Sequence, residues 1–234
     1  LISWVTWPEY PAMFCGLHYV MPTDTAPWIR DSEHGGGRVL IPRSPWTNEL
    51  AAMLQSENIS ALRLSYGAGF RGDSIEFVRD LPFLTSLEIY SADVQDVSPI
   101  QYLENLELLG LEVKSVRGLS DWRPPLRIAL LTWCKDLSFV FGRDTIEYLN
   151  IQNYPYEDLK PIELLHSLRR LALTSRKLKC LDGIGKLEML EHLDLYNCPN
   201  LLSIADARAK SSIKHLEVEN CRLVSKAKLL ENHA

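Results

Sequence analysis

The chain has 234 residues, of which 46% are hydrophobic, and this share supports a continuous core and excludes disorder of the whole chain. Its 30 acidic and 25 basic side chains give a net charge of -5 and are spread along the sequence. Because no basic stripe is available to neutralise phosphates, nucleic acid is a poor candidate partner.

Five cysteines stand at wide spacings, unlike the dense, even-numbered framework of a small secreted disulfide scaffold. We therefore expect reduced thiols and slightly favour a cytoplasmic location. No apolar run approaches the roughly 18 residues of a membrane span. The chain begins at Leu1 rather than Met, which leaves open whether it is a trimmed or processed product and whether a catalytic domain lies outside it.

Residues 1–58 carry no repeat and are predicted to form a small α+β unit. A mobile loop is expected at about 23–37, where proline and acidic residues precede three glycines. Ser44 and Pro45 have the character of an N-cap and a first helical residue, and they open a predicted helix at about 45–56. The predicted strands are SWVTW, FCGLHYV and RVLIP.

One pattern, apolar-x-x-apolar-x-apolar, then recurs eight times between Ile59 and Val218, with first anchors 20 to 25 residues apart. A single strand with its return segment cannot bury its apolar side alone, but stacked copies share a continuous core. The anchor triplets are Ile59, Leu62, Leu64; Leu84, Leu87, Ile89; Leu106, Leu109, Leu111; Leu126, Ala129, Leu131; Ile146, Leu149, Ile151; Leu168, Leu171, Leu173; Leu190, Leu193, Leu195; and Ile213, Leu216, Val218.

This triplet at a period near 22 residues resembles the leucine-rich-repeat superfamily, and its short, internalin-like class in particular. Two return stretches, VQDVSPIQYLENLELLGL and LKCLDGIGKLEMLEHLDL, are also close to that class. The resemblance covers residues 59–223. It implies an α/β solenoid, a right-handed parallel-β horseshoe of about eight repeats, with residues 1–58 as an N-terminal cap. It also implies a bacterial source and a role in adhesion, toxin neutralisation or regulation as an adaptor.

The return segments are expected to differ from one another. A helix is predicted only for DSIEFVRDL, where Ile75, Val78 and Leu81 share one side, while Pro99 and Pro161 favour short turns or 3₁₀ segments elsewhere. The tail at 224–234 is expected to close the solenoid, with Leu223, Leu229 and Leu230 over the last repeat.

Three cysteines fall eight residues after a first anchor, at the position of the family's asparagine ladder: Cys134, Cys198 and Cys221. A buried thiol there can donate to a backbone carbonyl, so we interpret these cysteines as structural. The next apolar residue follows this position by three residues in some repeats and by two in others. Two types of turn are therefore predicted.

The resemblance implies that the side chains between and just after the anchors form a concave, partner-binding face. Its middle is predicted to be apolar and aromatic, as interfaces often are, unless Trp133 turns onto an edge or is covered. The expected binding residues are Arg63, Tyr66, Glu88, Tyr90, Leu108, Glu112, Ile128, Leu130, Trp133, Tyr148, Asn150, Arg170, His192, Asp194, Tyr196, His215, Glu217 and Glu219.

The predicted function is that of a protein-protein interaction module, which binds a protein with a basic or mixed surface and needs no cofactor. One alternative is the recognition domain of a larger enzyme, toxin or effector whose catalytic part is absent here. Another is a metal-responsive or pH-responsive binder that uses the corner formed by His192 and His215.

We do not expect catalysis by the chain itself. Cys15 and His18 stand three residues apart on a predicted strand, and this spacing puts their side chains on opposite faces. The run Gly35 to Gly37 lacks the lysine and the strand-to-helix context of a phosphate loop. The oligomeric state is left open.

Overall fold

The computed structural model describes residues 25–34, 37–134 and 136–224. Eight five-residue strands correspond to the eight anchor triplets, and each strand contains the second and third anchors of its triplet. They are β3 (Ala61–Ser65), β4 (Ser86–Tyr90), β5 (Leu108–Glu112), β6 (Ile128–Thr132), β7 (Tyr148–Gln152), β8 (Arg170–Thr174), β9 (His192–Tyr196) and β10 (His215–Glu219), and they are preceded by β1 (Trp28–Asp31) and β2 (Arg38–Ile41).

All ten strands form one sheet in chain order, with β1 antiparallel to β2 and every other neighbouring pair parallel. The register aligns equivalent anchors across the repeats, so that Leu62 pairs with Leu87, Leu87 with Leu109, and Leu171 with Leu193. This arrangement confirms the predicted parallel-β solenoid.

The core is the stack of anchor side chains that the sequence predicts. Every anchor of the first seven triplets is at most 2% exposed. The last triplet, Ile213, Leu216 and Val218, is only partly buried and packs against the same core. Within the described residues, the final repeat has a neighbouring strand on one side only, and this explains its greater exposure.

The return segments contain short 3₁₀ helices more often than α-helices. The segment after Asp73 is a 3₁₀ helix, Glu76–Asp80, because its buried Ile75, Val78 and Leu81 recur every three residues, which is the period of that helix. The other 3₁₀ segments are Ser98–Tyr102, Leu137–Gly142, Lys160–Ile162 and Ile184–Lys186.

Pro99 and Pro161 lie in the first turn of such segments, as expected. The short helix α2, Ala205–Ala209, was not predicted. Its sequence, ADARA, has high intrinsic helix propensity.

The predicted helix of the N-terminal segment is present as α1, Asn48–Ser56, and its N-cap is Thr47 rather than Ser44. The Thr47 backbone is extended, with φ -138° and ψ 163°, so the helix begins after it, and the Trp46 ring stacks on Phe77 at 4.0 Å between centroids. The expected strand RVLIP is present as β2.

The expectation of a mobile loop at about 23–37 is wrong for Trp28–Asp31, which forms β1 and pairs with β2. Gly37, with φ +93°, allows the chain to reverse between the two strands. The predicted strands SWVTW and FCGLHYV, with Cys15 and His18, lie outside the described residues, as do Gly35 and Gly36.

At the other end, Leu223 is 37% exposed, whereas Val224 is buried. Val224 therefore takes the place over the last repeat that was predicted for Leu223. Leu229 and Leu230 lie outside the described residues.

The two predicted turn types differ in the backbone conformation of the residue seven positions after the first anchor. Asn153, Asn197 and Asn220 adopt the left-handed conformation, with φ of 58°, 52° and 56°, at the seventh position after their first anchors. The inward-facing residue then comes one position later. In the repeats that begin at Leu84 and Leu168, a buried serine occupies the seventh position itself.

Two of the three cysteines at the ladder position are buried and form hydrogen bonds with the backbone. Cys198 and Cys221 are fully buried, and each thiol donates to a backbone carbonyl at 3.4 Å, that of Tyr196 and that of Glu219 respectively. Cys134 is half-buried. The Ser175 hydroxyl donates instead to the preceding repeat, to the Tyr154 carbonyl at 2.7 Å.

Candidate binding surface on the concave face

The concave face consists of the strand residues that alternate with the anchors, and its N-terminal half is largely covered. Glu88, Tyr90, Leu108 and Leu130 are 2%, 7%, 4% and 1% exposed. The expectation of an exposed apolar middle is therefore wrong for Leu108 and Leu130. Ile128, at the start of β6, is half-buried.

Gly110 explains part of this closure. A Cβ atom at Gly110 would lie 2.8 Å from the Tyr90 hydroxyl and 2.9 Å from Cγ of Glu88, so both side chains cover this residue of β5. The Tyr90 hydroxyl donates to Glu88 at 2.6 Å, and Arg63 donates to the other Glu88 oxygen at 3.0 Å. These contacts form a buried polar network on β3 and β4.

Glu33 and His34, which follow β1, lie over the N-terminal half of the face and reach the first residue of β7. A Glu33 carboxylate oxygen is 3.7 Å from the Arg63 guanidinium, and the His34 ring lies 6.2 Å from the Tyr148 ring. Burial lowers the pKa of His34, and the nearby Glu88 partly opposes this shift. Sequence reasoning missed this role, because a glycine-rich segment carries no signal of where it packs.

Trp133 does not stand in the middle of the concave face. Its ring stacks on Phe141 at 5.6 Å and meets the Tyr156 ring edge-on at 5.8 Å, at the edge of the sheet beyond the end of β6. Trp133 is half-buried against the core. The alternative that it turns onto an edge is therefore the correct one.

Two further predicted binding residues lie where strands end. Tyr66 follows β3 and is 44% exposed, and the Arg71 guanidinium stands 3.7 Å over its ring. Glu112, the last residue of β5, is also exposed.

The C-terminal half of the face, on β7 to β10, is open. Arg170, His192, His215 and Glu219 are exposed. Between them lie half-buried side chains: Tyr148, Asn150, Tyr196 and Glu217. Of the predicted binding residues, the structure brings these eight together on four neighbouring strands.

The predicted corner is present in the expected register, with His192 beside His215, Asp194 beside Glu217 and Tyr196 beside Glu219. The two imidazole rings lie 5.7 Å apart. Asp194 is buried beneath them, and its Oδ2 accepts two hydrogen bonds from Arg170. Burial, with a hydrogen bond to Glu217, raises the pKa of Tyr196.

A groove at the edge of the sheet adjoins this open half, and its residues are not among the predicted binding residues. The sequence does contain a signal for this groove, because asparagine recurs seven residues after the first anchor in three repeats. The groove is lined by Asn153, Thr174, Ser175, Arg176, Asn197, Pro199, Asn220 and Arg222.

Among the described residues, no helix has the length and apolar character needed to cross a membrane. No family model and no curated protein sequence matches the chain.

Solved structures do match. The crystal structure of internalin C2 from Listeria monocytogenes aligns with 77% of this chain and 80% of its own, with a TM-score of 0.59 and 19% sequence identity. Internalin F from the same organism aligns with 80% of this chain and 71% of its own, with a TM-score of 0.47 and 16% identity. The alignment with internalin C2 and the stacked parallel strands lead to one conclusion: the chain has the leucine-rich-repeat solenoid fold of the short, internalin-like class.

Proposed function

We propose that the chain is a protein-binding module whose partner docks on the C-terminal half of the concave face, on β7 to β10. One observation carries this proposal: exposed polar and charged side chains gather on these four strands, whereas the side chains of β3 to β6 are largely covered. Solenoids commonly use such extended concave surfaces for binding.

The chemistry of this half favours a partner with a basic or mixed patch. Glu217 and Glu219 supply negative charge at the end of the sheet, and Arg170 supplies one positive charge near its middle. Such charges set specificity and association rate. Tyr148 and Tyr196 present rings that are partly accessible, and tyrosine is frequent among residues that dominate binding energy.

The proposal is tested by capture from a lysate of the cells that produce the chain, with two matched triple variants as bait. The first variant combines Asn150→Ala, His192→Ala and Glu219→Ala on the open half. The second combines Leu164→Ala, Met189→Ala and Leu202→Ala, which are exposed on the return segments.

We expect the concave variant to retain less than about a tenth of the partner that the unmodified chain captures, since hot-spot losses commonly exceed about 1.4 kcal/mol. The return-segment variant should capture it fully. The proposal fails if the return-segment variant loses the partner and the concave variant retains it.

A further inference from the structure

We propose that Asp194, His215 and Glu217 form a binding site for a divalent transition metal such as zinc. The parallel register places Glu217 of β10 beside Asp194 of β9, and His215 stands two residues before Glu217 on the same face. One ligand atom from each of the three side chains lies within 4.8 Å of the other two.

The distances are close to those of a metal centre. Nε2 of His215 lies 3.5 Å from Oδ1 of Asp194 and 3.7 Å from Oε2 of Glu217. A tetrahedral zinc site with bonds of about 2.0 to 2.2 Å holds its ligand atoms about 3.4 Å apart. A small rotation of the half-buried Glu217 side chain would complete the set.

Asp194 provides an independent argument. Its side chain is 2% exposed, and Oδ1, which faces His215, has no hydrogen-bond partner among the described residues. A buried carboxylate oxygen that lacks a donor is unfavourable, and a cation at this position would satisfy it.

Arg170 fixes the position of the Asp194 carboxylate through its other oxygen, Oδ2. It donates to Oδ2 of Asp194 through Nε at 3.3 Å and through a terminal nitrogen at 3.0 Å. This pair fixes the carboxylate and leaves Oδ1 directed at the site, as outer hydrogen bonds do for metal ligands.

The donor set selects the class of metal. One imidazole nitrogen and two carboxylate oxygens suit zinc and similar first-row ions, whereas magnesium and calcium prefer oxygen donors alone. Three protein ligands leave a fourth coordination position open. His192 lies beside the His215 ring and is not part of the ligand set, so the site differs from the predicted pair of histidines.

The experiment is calorimetric titration of zinc chloride into the full chain at neutral pH, with magnesium chloride as a second probe. The ligand variants are His215→Ala and Glu217→Gln, which alter side chains that are not fully buried. The matched controls are His192→Ala, which removes the neighbouring imidazole, and Cys180→Ser, which removes an accessible thiol.

We expect one equivalent of zinc to bind to the unmodified chain and to both controls, with at least a tenfold loss of affinity in each ligand variant. Zinc should also raise the melting temperature of the unmodified chain but not that of His215→Ala, and this second readout separates metal loss from misfolding. Absence of zinc binding, equal binding of magnesium, or loss of binding in a control instead of the ligand variants would overturn the proposal. The capture variants leave these three ligands intact, so the site and the proposed partner surface can fail independently.

Discussion

Arg170 on β8 places both its Nε and a terminal nitrogen within 3.3 Å of a single oxygen, Oδ2 of the buried Asp194 on β9. This contact joins β8 to β9 through a charge that has little contact with water. It also leaves the other Asp194 oxygen for a different partner.

Arg170→Met should lower the free energy of unfolding by about 1 to 3 kcal/mol, because the Asp194 carboxylate would be left buried without its charged donor. Urea unfolding measures this loss. Arg169→Met is the matched control, since Arg169 pairs at 3.5 Å with Glu191 on an accessible surface and such pairs contribute little to stability. Equal losses in the two variants would show that burial of Asp194 does not govern the energetics.

Trp133→Ala should destabilise the fold by about 3 kcal/mol, because it removes the ring that stacks on Phe141 and meets Tyr156. Thermal and urea unfolding measure the change. Leu202→Ala, at a side chain that is 62% exposed, should stay within about 0.5 kcal/mol. If Trp133 were instead an exposed binding anchor, its removal would leave the stability unchanged.

Asn197→Val should destabilise the chain by about 1 to 2 kcal/mol, since a β-branched residue is strained at a φ of 52°. Asn197→Gly tolerates this conformation and should change the free energy of unfolding much less. The comparison is made by urea unfolding of both variants. A valine variant as stable as the glycine variant would contradict the account of the two turn types.

Cys198 and Cys221 should resist alkylation until the chain unfolds. The neighbouring Cys198 thiol lowers the pKa of Cys221, which would favour the reactive thiolate, but both cysteines are fully buried. Among the four described cysteines, iodoacetamide at pH 7.5, followed by peptide mass spectrometry, should label the partly exposed Cys180 before Cys198 and Cys221. Rapid labelling of Cys221 in the native state would mean that the last turn opens readily.

Acidification should destabilise the chain in part through His34. Burial lowers its pKa below the ordinary value of 6.5, so the unfolded state binds this proton more strongly than the folded state. Stability is therefore lost as the pH falls below 6.5 toward the folded-state pKa. The loss between pH 7 and pH 5, measured by urea unfolding, should be smaller in His34→Gln, and an unchanged loss would contradict a lowered pKa of His34.

The repeat core could be predicted almost completely from sequence. Each triplet places two anchors on one side of a strand and a third before it, and stacking then determines which leucines meet. Leu87 between Leu62 and Leu109 is a direct consequence of this spacing. The register of the corner, with His192 beside His215, follows from the same rule.

Exposure across the concave face could not be predicted in this way, because it depends on contacts between distant segments. Leu108 and Leu130 belong to the correct face, but nothing in their own repeats shows that this part of the face is closed. Trp133 leaves the face because Phe141 and Tyr156 offer it a packed site, and those residues belong to a return segment and to the next turn.

Site-specific photo-cross-linking tests the central claim, that a partner docks on the open half of the concave face. A photoreactive phenylalanine analogue is incorporated in place of His192 in one sample and in place of Leu202, on a return segment, in another. The account predicts a covalent adduct with the captured partner from position 192 and none from position 202. An adduct from position 202 with none from position 192 would contradict it.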